Sequence, residues 1–207
     1  MTTVIILAGK NILDYMSEVE KFISGTKGRI LVVVGKNDIQ MIETVIQDCL
    51  EPTLASKITC VVQHAPKGTG HAAMCCLSHL KPSDQIIILT RCVSAEMMRM
   101  MNPVAKDRIR IMTTRLDNPA CVENGNVKII EDELCDDREK TVNCGIYSMI
   151  GEMLMMRLPF LTISKEKNTY NLSDIVNGVR VEMCEVYGMN METNVVKNVC
   201  DDDDTPF

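Results

Sequence analysis

The chain reads as an α/β domain with a mostly parallel sheet and helices on both faces, and three features predict that class. Short β-rich apolar runs recur, stretches with apolar residues three and four apart separate them, and one run, VVQHAPKGTGHAAM (61 to 74), breaks through a glycine turn into an alanine-rich helix.

The runs are TVIILA (3 to 8), RILVVVG (29 to 35), KITCVVQ (57 to 63), QIIILT (85 to 90) and RIRIMTT (108 to 114). Between the second and third, Ile39, Ile42, Val45, Ile46 and Cys49 mark one face of a helix. Strand and helix alternating in this way give parallel neighbours joined by right-handed crossovers. Ligands are then expected at the carboxyl ends of the strands.

After about residue 115 the pattern changes. NVKIIED (126 to 132), the acidic EDELCDDREK and TVNCGIYSMI (141 to 150) read as antiparallel strands joined by a solvated turn, which makes the sheet mixed. A helix GEMLMMRLPFL follows, then a polar stretch TISKEKNTYNLSDIVNG and a strand RVEMCEV (180 to 186). The methionines at 97, 98, 100, 101, 153, 155 and 156 read as flexible core filling. With no repeat and no linker, residues 1–200 form one expected domain, and 201–207 an acidic, solvated tail.

At 207 residues, 46% apolar and 24% charged, the composition is that of an ordinary soluble globular domain. No run approaches the roughly 18 apolar residues of a membrane span. The start MTTVIILAGKNIL lacks a charged segment before its apolar one, so it reads as a strand rather than a signal peptide. Ten scattered cysteines without a CxxC pair imply reduced core thiols in the cytoplasm. His64, His71 and His79 match no zinc spacing. With 22 basic against 28 acidic residues, nucleic-acid binding is disfavoured, whereas a small anion can still be held by local lysines and backbone N–H groups.

Gly9 and Lys10 end the first run, where a glycine admits a phosphate to the backbone and a lysine neutralises it. On this stretch alone a strand end with a solvated lysine is the simpler account. Gly68 and Gly70 likewise fit either a tight turn or the close approach of a ligand.

The segments IILAGK, QHAPKGTGHAA, ENGNVKIIED, VNCGIYSM, NTYNLSDIV and EVYGMN resemble, in order and rough spacing, those of the sugar-nucleotide pyrophosphorylases. From residue 3 to about 195 the chain is most similar to the uridylyltransferase domain of the bacterial enzymes that make UDP-N-acetylglucosamine. The resemblance implies a nucleotide-diphospho-sugar transferase fold, Rossmann-like and of GT-A type. It also implies a reaction in which UTP and N-acetylglucosamine 1-phosphate give UDP-N-acetylglucosamine and pyrophosphate, with one magnesium ion (Mg2+) as cofactor.

Carried over by position, Leu7, Ala8 and Gly9 would line the base and ribose, and Gln63, Gly68 and Thr69 would read the uracil edge. Glu131 would bond a sugar hydroxyl, Asn143 and Gly145 would hold the acylamino sugar and its phosphate, and Tyr170 and Ser173 would lie near the sugar. Asn190 would ligate magnesium, while Lys10 and Lys21 would supply catalytic charge.

Three departures stand beside the resemblance. LAGKNILDYMSEVEK lacks the second glycine and the arginine of the family's first loop. ILTRCVS places Arg91 or Cys92 where the family has a magnesium-binding aspartate, and DNPACVENG omits most of a turn against the sugar. Losing the arginine and the carboxylate would each cost on the order of a hundredfold in rate by analogy with an oxyanion donor, whereas binding could survive. The sequence therefore supports a working transferase, with a nucleotide-sugar-binding or regulatory protein without turnover, or a cytidylyl- or guanylyltransferase of the same fold, as alternatives. The chain stops before any hexapeptide repeat, so acetyl transfer and the trimer such repeats build are not expected.

Overall fold

The computed structural model describes residues 1–7, 12–24, 27–116, 140–164 and 168–186. Its strands are β1 (Thr2–Ile6), β2 (Gly28–Gly35), β3 (Ile58–Gln63), β4 (Gln85–Leu89), β5 (Arg108–Leu116), β6 (Lys140–Ile150) and β7 (Arg180–Val186). They form one sheet in the order β3-β2-β1-β4-β6-β5-β7. β6 runs antiparallel to both β4 and β5, and the other pairings are parallel. The expected alternation and mixed sheet are both present, although the 126 to 132 run lies outside the described residues. The antiparallel strand β6 sits between β4 and β5.

The helices are α1 (Ile12–Ile23), α2 (Ile39–Cys49), α3 (Pro52–Ala55), α4 (Gly68–Cys75), α5 (Ala95–Met101) and α6 (Gly151–Arg157). Two cores flank the sheet. Val4 and Ile6 of β1 face one side with Tyr15, Met16 and Val19 of α1, Ile42 and Ile46 of α2 and Met98 of α5. Ile5 faces the other with Ala72 and Ala73 of α4, Leu154 of α6 and Leu172 and Ile175 of a 3-10 turn at Leu172–Val176. This alternation along a strand flanked by two others is why Val4, Ile5 and Ile6 are all apolar: both faces of β1 are covered.

Two expectations change in detail. The helix expected over GEMLMMRLPFL ends at Arg157, and Leu158–Phe160 tighten into a 3-10 turn, because Pro159 lacks an N–H to continue the α ladder. The methionines divide: Met98 and Met101 are fully buried, whereas Met100 and Met156 face solvent. Of the cysteines, Cys76 and Cys144 are buried but Cys49 is exposed, and those described are free thiols. No described helix is long and apolar enough to cross a membrane.

At the amino edge of the sheet, Asp84 is buried and accepts from the Arg29 guanidinium at 2.8 Å and the Lys81 amide at 3.1 Å. This ties the starts of β2 and β4 together. The carboxyl edge, by contrast, carries the described motif residues other than Lys21.

Candidate functional site

Two clusters form along the carboxyl edge. Gln63 ends β3 and Thr90 follows β4, three strand spacings apart in the sheet, or about 14 Å. Leu7 lies between them, its amide donating to Leu89 O at 2.9 Å and so extending the β1–β4 pairing past the strand ends.

The first cluster is the β3–α4 loop. Gly68 opens α4 with φ +87°, a conformation that L side chains resist. A Cβ on Gly68 would lie 2.6 Å from Tyr170 O, and one on Gly70 would lie 3.0 Å from the same oxygen. The two glycines thus admit another stretch of this chain. The Gly70 amide donates to Tyr170 O and the Tyr170 amide to Lys67 O, each at 2.8 Å, so residues 67–70 pair with Tyr170 much as two short strands would. The Thr69 hydroxyl accepts from the Leu172 amide at 3.1 Å, satisfying an N–H at the start of the Leu172–Val176 turn. Ser173 is half-buried in that turn.

Gln63 reaches back over this loop. Its Nε2 lies 2.9 Å from His71 Nδ1 and 3.4 Å from Gly68 O, and the His71 ring stacks with Tyr170 at 6.3 Å between centroids. Burial, and then the nearby Lys67 charge, hold the His71 pKa below the ordinary imidazole value. Neutral imidazole can accept at Nδ1, which suits the Gln63 amide as donor. Neither His71 nor the contact of Tyr170 with the glycines was legible from the motifs; the histidine of GTGHAA was the available signal.

The second cluster joins the exit of β4 to the start of β6. The β5–β6 register shifts between Ile111 and Thr113, so that Cys144, Gly145 and Ile146 bulge opposite Met112. Gly145 takes φ +74° at the bulge, and a Cβ there would meet Thr90 Oγ1 at 2.1 Å. Thr90 holds the bulge, its amide donating to Gly145 O at 3.1 Å and its hydroxyl at 2.9 Å. Asn143 holds it from the other side: its Oδ1 accepts from the Gly145 amide at 2.8 Å, and its Nδ2 donates to the Tyr147 hydroxyl at 2.6 Å. Buried in this way, Asn143 acts on the geometry first through Gly145. Burial pushes the Tyr147 hydroxyl up to about 12 and the Cys144 thiol up to about 11, so both are neutral at physiological pH.

Arg91 follows Thr90. A Cβ on Gly145 would lie 3.7 Å from its Nε, which is shielded from solvent although the residue is only half-buried. Cys92 donates its thiol to Asp14 O at 2.9 Å, and burial, then Asp14 and Glu18, raise its pKa. Lys21 is elsewhere. α1 runs from the exit of β1 toward the start of β2, which carries Lys21 about 14 Å along the helix from Ile12. There it is exposed, paired with Glu18, and the structure does not bring it to either cluster. Ala8, Gly9, Lys10, Glu131 and Asn190 lie outside the described residues.

Magnesium wants hard oxygen ligands in octahedral geometry. The described residues at the β4 exit offer a hydroxyl, a guanidinium and a neutral thiol, and no group of three His, Cys, Asp or Glu among the described residues could hold a metal. These residues do not fit the ion that the motif resemblance implies.

No protein-family profile matches the chain. It is 26% identical over 184 residues to the bifunctional protein GlmU of Fervidobacterium nodosum, covering 82% of this chain and 38% of that protein. It is 30% identical over 155 residues to GlmU of Thermotoga maritima, covering 65% of this chain and 35% of the relative. The chain therefore spans less than half the length of these relatives. Among solved structures it is similar to HddC from Yersinia pseudotuberculosis, with TM-score 0.59 at 14% identity over 89% of this chain and 90% of the other. The same protein complexed with GMP-PN gives TM-score 0.53 at 15% identity, over 90% of this chain and 91% of the other. The chain is thus similar to GlmU along most of its own length and shares its fold with HddC.

Proposed function

We propose that the chain is a sugar-1-phosphate nucleotidyltransferase acting in the cytoplasm, with UTP and N-acetylglucosamine 1-phosphate as its substrates. One observation carries the reading. Two motifs about 75 residues apart in sequence, at Gln63–His71 and at Asn143–Gly145, lie on a single carboxyl edge, where open α/β sheets take their ligands.

In this reading the loop of Gly68 and Thr69, braced by Tyr170, receives the base. Leu7 lies under the ribose, and the Gly145 bulge faces the sugar phosphate, with Ser173 toward the sugar. The sugar phosphate oxygen bonds to the α-phosphorus as the bond to the bridging oxygen breaks and pyrophosphate leaves. What the protein contributes is alignment of two anions and neutralisation of their charge. Ala8, Gly9, Lys10 and Glu131 keep the roles their motifs suggest. GlmU-like transferases generally use magnesium, an ion that the described residues at the β4 exit do not fit.

A second reading rests on ILTRCVS: Arg91 or Cys92 where the motif resemblance places a metal-binding carboxylate favours a protein that binds sugar nucleotides without turnover. Pyrophosphate release separates the two. The purified chain is incubated with N-acetylglucosamine 1-phosphate and each of UTP, CTP, GTP and ATP, with magnesium and with chelator. Release with UTP is expected. No release with any triphosphate, alongside measurable UDP-N-acetylglucosamine binding, would establish the second reading instead.

A further inference from the structure

We propose that Arg91 supplies the positive charge at the phosphate end of the site, so that nucleoside triphosphate binds this chain without a divalent metal ion. The inference rests on the nucleotide-binding reading above and adds to it the identity of the cation. Arg91 is placed by the backbone and not by chance. Thr90, immediately before it, is fixed to Gly145 O through both its amide and its hydroxyl, and Cys92, immediately after it, is fixed to Asp14 O. Both neighbours are thus tethered, one to β6 and one to α1, and the side chain between them runs past Gly145 at the bulge.

The charge acts on both flanks of that position, since it opposes the burial-driven rise in pKa of Tyr15 on α1 and of Cys144 and Tyr147 on β6. A guanidinium presents a planar fork of donors that matches phosphate oxygens two at a time, and it keeps its charge at any physiological pH. The same group repels a second cation. A carboxylate at this place would recruit a dication, whereas an arginine replaces its charge and removes its ligand in one substitution.

The test is calorimetric titration of the whole chain with UTP, once in chelator and once in excess magnesium. Affinities within about threefold of each other are expected, because charge-assisted hydrogen bonds from the protein do not depend on the ion. Arg91→Ala is expected to weaken binding about tenfold or more, with Arg91→Lys recovering part of the loss. Arg91→Asp should bind UTP only in magnesium. Thermal melting of each variant separates lost binding from lost folding, and the wild-type comparison needs no variant at all. Wild-type binding that appears only with magnesium overturns the proposal, as does Arg91→Ala binding as tightly as wild type. No binding of UTP in either condition also overturns it, while pyrophosphate release from another triphosphate would leave the transferase reading standing.

Discussion

The two ends of the carboxyl edge are built differently. At the β3–α4 loop, glycines receive a distant backbone: Gly68 and Gly70 meet Tyr170, and Thr69 meets the Leu172 amide. At the β4–β6 end the obstacle beside Gly145 is one side chain, Thr90, and side-chain hydrogen bonds from Thr90 and Asn143 join one backbone bond in holding the cluster. A contact between backbones cannot move without shifting a whole segment, whereas a threonine can change rotamer. The first end is therefore a rigid seat, and the second is a place where single substitutions can alter the chemistry.

The largest expected effect follows from that contrast. Gly68→Ala puts a Cβ 2.6 Å from a backbone oxygen at φ +87° and is expected to destabilise the fold by about 2–4 kcal/mol. Gly145→Ala carries similar backbone strain, but its clash is with Thr90 Oγ1, so the double variant with Thr90→Ala should recover part of the loss. Denaturant melts of the three proteins measure this. If Gly145→Ala is not improved by Thr90→Ala, the distinction between the two ends fails.

A smaller effect is expected from pH at the loop end alone. The His71 pKa is depressed in the folded chain, so the folded state resists taking up the proton that the unfolded chain takes up near pH 6.5. Its contribution is present above that value and is lost as pH falls through the lower, folded one, because imidazolium cannot accept from Gln63. Melting temperatures followed from neutral to acid pH should fall more steeply for wild type than for His71→Asn. Parallel curves would show that the Gln63–His71 contact carries no weight.

The smallest effect belongs to a residue outside both clusters. Lys21→Ala removes an exposed pair with Glu18 that solvent screens. Pyrophosphate release is expected to stay within about twofold of wild type, since each tenfold requires about 1.4 kcal/mol at the transition state. A large loss of turnover with unchanged stability would return Lys21 to the catalytic role that its place in SEVEK suggested.

Much of the architecture was legible in the chain because strand and helix periodicities are local. TVII, ILVVV and QIIIL reveal buried strands, and the recurring α2 pattern reveals the helix that covers them. The loop glycines were legible as a special position, but not as the seat of Tyr170, which lies a hundred residues away in sequence. The place of Lys21 was not legible, because position along a helix axis depends on where the helix begins, and the structure sets Lys21 about 14 Å along α1 from Ile12.

By itself the sequence determined the class of fold and the positions of the described strands, both of which are set by residue type and short-range spacing. Only the tertiary structure decided that β6 lies between β4 and β5, that Asn143 holds the Gly145 bulge, and that the glycines of GTG meet Tyr170. Those outcomes depend on which distant segments share space, and polar groups in a packed interior are satisfied by whichever partner the fold brings within reach.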